Sequence, residues 1–121
     1  MKDKLKKIPS KIVIGGQEID VKEEVKIENN LLGQCSVAEG WIKIANTYDD
    51  RIQTESCKRN TYYHELTHAI LDTMGETKLS RNEKFVNCFA SFLTEAMQNA
   101  YFMEEIAEDE ERTFDKIQKE N

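Results

Sequence analysis

The chain reads as an α+β domain, a small antiparallel sheet of two hairpins packed on two main helices. Three observations predict this. Short β-rich runs follow one another up to about residue 44, with apolar residues at every second position from Ile19 through Val25 and Ile27 and only weak alternation after that. From about Asp50 their spacing lengthens to three and four, the period of a helix face. Gly-Gly and Asn-Asn steps punctuate only the first half, where turns between strands are needed. Strands first and helices second is the order of an α+β arrangement rather than of alternating βα units.

Each element follows in order. Residues 1–10 read as a flexible lead ending near Pro9. Lys11-Ile12-Val13-Ile14 and Glu18-Ile19-Asp20-Val21 flank Gly15-Gly16-Gln17, a β-hairpin signal. The second arm is expected to run on through Val25 and Ile27, with Asn29-Asn30 turning the chain. Gln34 to Val37 and Trp41-Ile42-Lys43-Ile44 form a second hairpin about Ala38-Glu39-Gly40. In the first helix Tyr63, Leu66, Ile70 and Met74 mark the apolar face, and Gly75 stops it by accepting a left-handed backbone. The second helix is expected from Ser80, where Ser80-Arg81-Asn82-Glu83 matches a capping box. Its buried stripe is expected at Phe85, Phe89, Phe92, Leu93, Ala96 and Met97, running toward Tyr101. The domain is placed at residues 11–103, and residues 104–121 read as a fraying acidic tail in which Phe114 and Ile117 are the only large apolar residues.

With 121 residues there is room for one core. A hydrophobic fraction of 39% is too high for wholesale disorder. A net charge of −6 argues against a nucleic-acid surface, and the basic start (Lys2, Lys4, Lys6, Lys7, Lys11) reads as a solvated tail. No run approaches the roughly 18 apolar residues of a membrane span. Ile8-Pro9-Ser10 breaks any apolar stretch after the basic start, so a secretory leader is not expected. Cys35, Cys57 and Cys88 are odd in number and form no CxxC pair, which suits a reducing, cytoplasmic setting.

The chemistry concentrates at His64-Glu65-Leu66-Thr67-His68, an HExxH motif on the first helix. The chain's only two histidines stand four apart, on one helix face, about 6 Å along the axis. Two imidazoles so placed converge on one ion, as in the zincin type of zinc protein. Glu65 lies beside them, in position to take a proton from water as general base. One zinc per chain is expected; two histidines and a carboxylate also suit iron, but a helical HExxH favours zinc.

A catalytic zinc needs a third protein ligand, and no histidine remains. Glu83, at the start of the next helix, is the candidate; it also reads as the capping partner of Ser80. Asp72 lies about 12 Å along the axis from His64, too far to share an ion. Cys57, two turns before His64, fails similarly, and Cys88 reads as a small buried residue.

Tyr63-His64-Glu65-Leu66-Thr67-His68-Ala69-Ile70, followed by Glu83-Lys84-Phe85-Val86-Asn87-Cys88-Phe89-Ala90, resembles the ImmA/IrrE family of metallopeptidases. In that family a HELxHA-type helix is paired with a later E-x-x-x-N-x-F-A helix whose Glu is the third zinc ligand. The resemblance covers roughly residues 62–93 and implies Glu83 as that ligand. It further implies a minimal zincin-like domain, a bacterial or phage protein of the cytoplasm, and cleavage of a separate repressor protein. The helix-turn-helix domain that accompanies several members has no counterpart in these 121 residues.

As a zinc-dependent endopeptidase the chain would bind its peptide as an added strand at a sheet edge beside the metal helix. Trp41-Ile42-Lys43-Ile44 is the candidate edge; Trp41 reads equally as a core aromatic. Zincins often carry a further His, Tyr or Arg for the oxyanion, and nothing selects among Tyr48, Tyr62, Tyr63 and Tyr101. The alternative function is a non-catalytic zincin-fold module that holds a host or phage protein. No nucleic-acid or membrane partner is expected.

Overall fold

A computed structural model describes residues 7–101. The tail expected over residues 104–121, with Phe114 and Ile117, and residues 1–6 of the lead lie outside the described residues. Strands β1 (Lys11–Ile14) and β2 (Gln17–Glu24) form the first hairpin, with Ile12 opposite Ile19. Its two-residue turn has φ of +57° at Gly15 and +81° at Gly16, a combination in which a Cβ would be strained. Strands β3 (Gly33–Ser36) and β4 (Trp41–Ala45) form the second hairpin. A further short pair, β5 (Thr47–Tyr48) and β6 (Arg51–Ile52), precedes the helices.

The fold is α+β, with both expected hairpins present and the sheet packed on two main helices. The expectation of a wholly antiparallel sheet is corrected at one seam. The hairpins join through β2 and β4, which run parallel with Val21 opposite Ile42, so the sheet is mixed, in the order β1-β2-β4-β3. The connection between them is long enough to cross back: β2 ends at Glu24, and a 3-10 turn at Glu28–Asn30 reverses the chain. Asn29 and Asn30 adopt positive φ there, the turn anticipated at this Asn pair. Strand β2 therefore stops short of Val25, which is exposed, while Ile27 is buried beyond it.

One face of the sheet supplies Ile19, Val21, Ile42 and Ile44 to the core. Helix α1 (Glu55–Met74) lies across it, capped by Thr54, whose side chain accepts from Cys57 N, and closed by Gly75 at φ +80°. A short helix α2 (Thr77–Ser80) leads to α3 (Glu83–Gln98). The capping box expected at Ser80 is corrected: Asn82 is the cap of α3, its Oδ1 accepting from Phe85 N at 3.1 Å. The helix ends at Gln98, before Tyr101.

Both expected apolar faces are rotated. On α1, Tyr63 is buried and Leu66 packs partly covered against the core, but Ile70 and Met74 are exposed, and Tyr62, Ala69 and Leu71 are buried as well. On α3 the buried residues are Val86, Ala90 and Thr94, with Leu93 and Met97 partly covered; Phe89 and Phe92 are exposed, 47% and 72%. Small residues at the contact let α3 approach α1 closely. Among the described residues no helix is long and apolar enough to cross a membrane.

Candidate metal centre

The motif occupies the middle of α1. His64 and His68 lie one turn apart with ring centroids 4.9 Å from each other. Because α3 returns antiparallel to α1 from a short connection, its first residue, Glu83, arrives over the two rings. Glu83 Oε2 is 3.7 Å from His64 Nε2, and Oε1 is 3.6 Å from His68 Nε2. One ligand atom from each of the three residues lies within 4.8 Å of the others. Donors sharing a tetrahedral ion at about 2.0 Å stand about 3.3 Å apart, so two imidazole nitrogens and a carboxylate held like this fit a divalent cation with only small closure. A carboxylate in the first turn of α3 also sits favourably on the helix dipole.

His68 is held from behind. Its Nδ1 lies 3.0 Å from Ser80 Oγ, and Ser80 is buried. When Nε2 ligates a metal, Nδ1 carries the proton and the Ser80 hydroxyl is placed to accept it, which would hold the ring in its ligating orientation. The Ser80 expected to cap a helix thus serves the imidazole.

Glu65 faces the sheet side of the same cleft and is 9% exposed. Burial raises its carboxyl pKa, offset in part by His68 and by a hydrogen bond from the Cys35 thiol, while Glu83 adds to the rise. Burial also pushes the Cys35 thiol up, to about 12, aided by the negative charge of Glu65. His64 moves the other way: burial and the neighbouring His68 lower its pKa, and Glu83 opposes them.

Strand β3 makes this contact possible. A Cβ on Gly33 would stand 2.5 Å from Thr61 Cγ2 and 2.9 Å from Glu65 Cγ, so only glycine lets the strand lie directly on α1 here. Leu32 O accepts from Ala45 N at 2.9 Å, one pair beyond the β3–β4 register. Hydrogen-bonded and open pairs alternate along an antiparallel ladder, so Gly33 and Cys35 direct their backbone N–H and C=O groups outward. The outer side of β3 is a sheet edge. The candidate edge at Trp41 is corrected accordingly: β4 lies inside the sheet, between β2 and β3. Trp41 is half-buried, its Nε1 donating to Glu39 at 2.7 Å and its ring under Lys43 Nζ at 4.3 Å.

A cavity of about 540 Å³ opens over the centre, between β3 and α3 with α1 as floor. His64, Glu65, His68 and Glu83 all line it. Asp72 lines it too but stands outside the group of donor atoms. A second cavity, of about 440 Å³, adjoins it and shares Leu32, Asn60 and Thr61. Cys57 lines this second space, away from the donors. Cys88, expected to be buried, is exposed. None of the four tyrosines lines either cavity; Tyr62 and Tyr63 are buried edge-to-face against each other, and Tyr48 is on β5.

Sequence reasoning missed Gly33, Cys35 and Ser80. Gly33 carried a signal, an isolated glycine next to the strand expected at Gln34 to Val37, which marks a close backbone approach. Ser80 and Cys35 carried none, since both depend on contacts between elements distant in the chain. No protein-family model, curated protein or solved structure matches the chain.

Proposed function

We propose that the chain is a zinc-dependent endopeptidase acting on a protein in the bacterial or phage-infected cytoplasm, such as a separate regulator of a mobile element. One observation carries this reading: His64, His68 and Glu83 present three donor atoms within 4.8 Å, beside a buried carboxylate, in an open cleft flanked by a free strand edge. The likeness of the motif segments to the ImmA/IrrE family supports the same reading and the repressor as substrate.

Zinc, when held by His64, His68 and Glu83, supplies Lewis-acid polarisation of a carbonyl and makes water more acidic. The chain does the rest. Strand β3 pairs with the substrate backbone through Gly33 and Cys35 and lays the scissile bond across α1. Glu65 accepts a proton from the attacking water and returns it to the leaving amine nitrogen. Burial raises its pKa above that of a free carboxyl, the direction that favours taking up the proton before it passes to the amine. The Cys35 thiol keeps the carboxylate turned into the cleft, and Ser80 keeps His68 in its ligating orientation.

The test has two parts. Elemental analysis is expected to find about one zinc per chain, lost from His68→Ala and Glu83→Ala and retained in Glu65→Gln. Mass spectrometry of a peptide library is expected to show cleavage by the wild type and none by Glu65→Gln. No metal after zinc is supplied, or equal cleavage by Glu65→Gln, would overturn the reading.

A second reading has one observation in its favour: among the described residues no Tyr, Arg or third His lines the cleft for an oxyanion, and its uncharged polar side chains include Gln34, Asn60, Thr61 and Asn87. A binding module that grips a protein at its metal cleft needs no such group. It predicts that Glu65→Gln keeps the biological effect while loss of metal removes it.

A further inference from the structure

The metal cleft uses one side of α3 and the core uses another, which leaves a third side carrying aromatic rings into solvent. Phe89 and Phe92 are 47% and 72% exposed, and Ala96 and Cys88 are exposed with them. Phe85 is half-buried and stacks on Phe89, ring centroids 5.7 Å apart. At about 100° per residue, Phe85, Phe89, Phe92 and Ala96 fall within about 60° of arc. Glu83 and Asn87, which line the cleft, point about 150–170° from the middle of that arc. The stripe is therefore separate from the proposed peptide site.

Two features say what covers it. The first is spacing. Phe85, Phe89, Phe92 and Ala96 follow one another at four, three and four residues, the repeat of a seam between two paired helices. The second is charge. Lys84 and Glu95 stand on one flank of the stripe, near its opposite ends, and neither has an ion-pair partner among the described residues. A second α3 laid antiparallel about a two-fold axis between positions 90 and 91 sets Phe89 against Phe92 of the other copy, and Phe85 against Ala96. The same register brings Lys84 of each copy within about 3 Å, along the axis, of Glu95 of the other. One surface thus complements itself in both shape and charge, as a two-fold interface requires.

We infer that the outer face of α3 is the interface of a homodimer, an antiparallel helix pair with Phe89 and Phe92 at its centre. Taking about 200 Å² for a phenylalanine side chain, these two rings leave about 240 Å² per copy in water. Both copies together then bury about 480 Å² of ring surface, about half of the roughly 1,000 Å² that a specific interface needs. Phe85, Cys88, Ala96 and the stems of Lys84 and Glu95 supply the remainder. The interface is at the small end of its class, so the pair exchanges with monomer at a Kd on the order of tens of micromolar. It closes on itself, leaving both clefts and both β3 edges open. The dimer requires no chemistry at the metal centre and stands apart from the peptidase reading.

Sedimentation equilibrium of the full-length chain from about 1 to 300 µM tests this. The mass is expected to rise from the 14.1 kDa of one chain toward twice that, about 28 kDa. Phe89→Ser and Phe92→Ser are each expected to raise Kd at least about tenfold, with an unchanged far-ultraviolet spectrum, since both rings lie outside the core. Lys84→Glu is expected to raise Kd about fivefold, through two exposed ion pairs reversed at once, and adding Glu95→Lys to restore it to within about twofold of wild type. A mass of one chain throughout would overturn the inference and leave the face to a different protein. A dimer indifferent to Phe89 and Phe92 would place the interface elsewhere. A charge exchange that fails to restore association would refute the antiparallel pairing.

Discussion

Gly33→Ala is the most informative single substitution away from the metal ligands. The added methyl would lie 2.5 Å from Thr61 Cγ2, 2.9 Å from Glu65 Cγ and 3.2 Å from Lys43 O. Carbon atoms in good contact stand about 3.5–4.0 Å apart, so the overlap with Thr61 is about 1 Å. Relief requires α1 to lift from β3 or Glu65 to leave its rotamer. The third neighbour is backbone of the adjoining strand and cannot yield alone. Overpacking of this kind costs about 1–3 kcal/mol, and the fixed surroundings place Gly33→Ala near 2–3 kcal/mol. For a domain of this size that lowers Tm by about 10–15 °C. Urea denaturation followed by circular dichroism measures it. Thr61→Ser removes the closest methyl, so the double variant should recover about 1 kcal/mol or more, a coupling a thermodynamic cycle isolates. Zinc content should stay at about one per chain, because His64, His68 and Glu83 do not bear on β3, while hydrolysis falls about a hundredfold as Glu65 is displaced by about 1 Å. A Gly33→Ala chain within about 0.5 kcal/mol of wild type, with no coupling to Thr61, would refute the claim that glycine is required for the β3–α1 contact.

Ser80→Ala should weaken zinc binding about 10- to 100-fold in a chelator competition, since it frees His68 Nδ1, and should leave the far-ultraviolet spectrum unchanged. The metal-free protein should lose stability at both ends of the pH scale near this site, as thermal melts across pH would show. His64 has a lowered folded pKa, so the unfolded chain binds more protons and stability drops as pH falls below about 6.5; a His64→Gln variant should lack that drop. Glu65 has a raised folded pKa, so its penalty is absent at acid pH and grows as pH rises above about 4.5; metal-free Glu65→Gln should melt higher than wild type at pH 7. Phe92→Ser, at an exposed position, should change stability by less than about 0.5 kcal/mol, whereas Val86→Ala should cost about 1–3 kcal/mol. The opposite ranking in urea melts would mean that α3 packs on its aromatic side.

Much of this fold was legible because its signals are local. Gly15-Gly16, Asn29-Asn30 and Gly75 demand particular backbone angles, and each adopts positive φ. The spacing of His64, Glu65 and His68 is a property of any helix, so their convergence needed no tertiary knowledge. Pairing between the hairpins is different. Nothing local decides whether β4 joins β2 in parallel or forms an edge, because that depends on the path from Val25 to Leu32 around the buried Ile27. The edge strand was misplaced for that reason, and with it the expected peptide site. Ser80 escaped because its partner, His68, lies twelve residues back across the helix stop at Gly75.

The aromatic stripe is a different kind of error, because the sequence held the means to exclude it. At about 100° per residue, Glu83 and Phe85 point about 160° apart, and Glu83 and Phe92 about 180° apart. A helix that turns Glu83 toward the histidines of α1 must therefore turn Phe85 and Phe92 away. Val86 and Ala90, three and seven residues on, lie within about 60° of Glu83 and fall against α1 with it, as their burial records. Reading Glu83 as a ligand and the phenylalanines as core were incompatible statements about one helix. The chemistry decides between them: hydrophobicity can be satisfied at several rotations of an amphipathic helix, but three donor atoms meet one ion at only one. A ligand assignment, once made, should set the helix rotation before any apolar face is chosen.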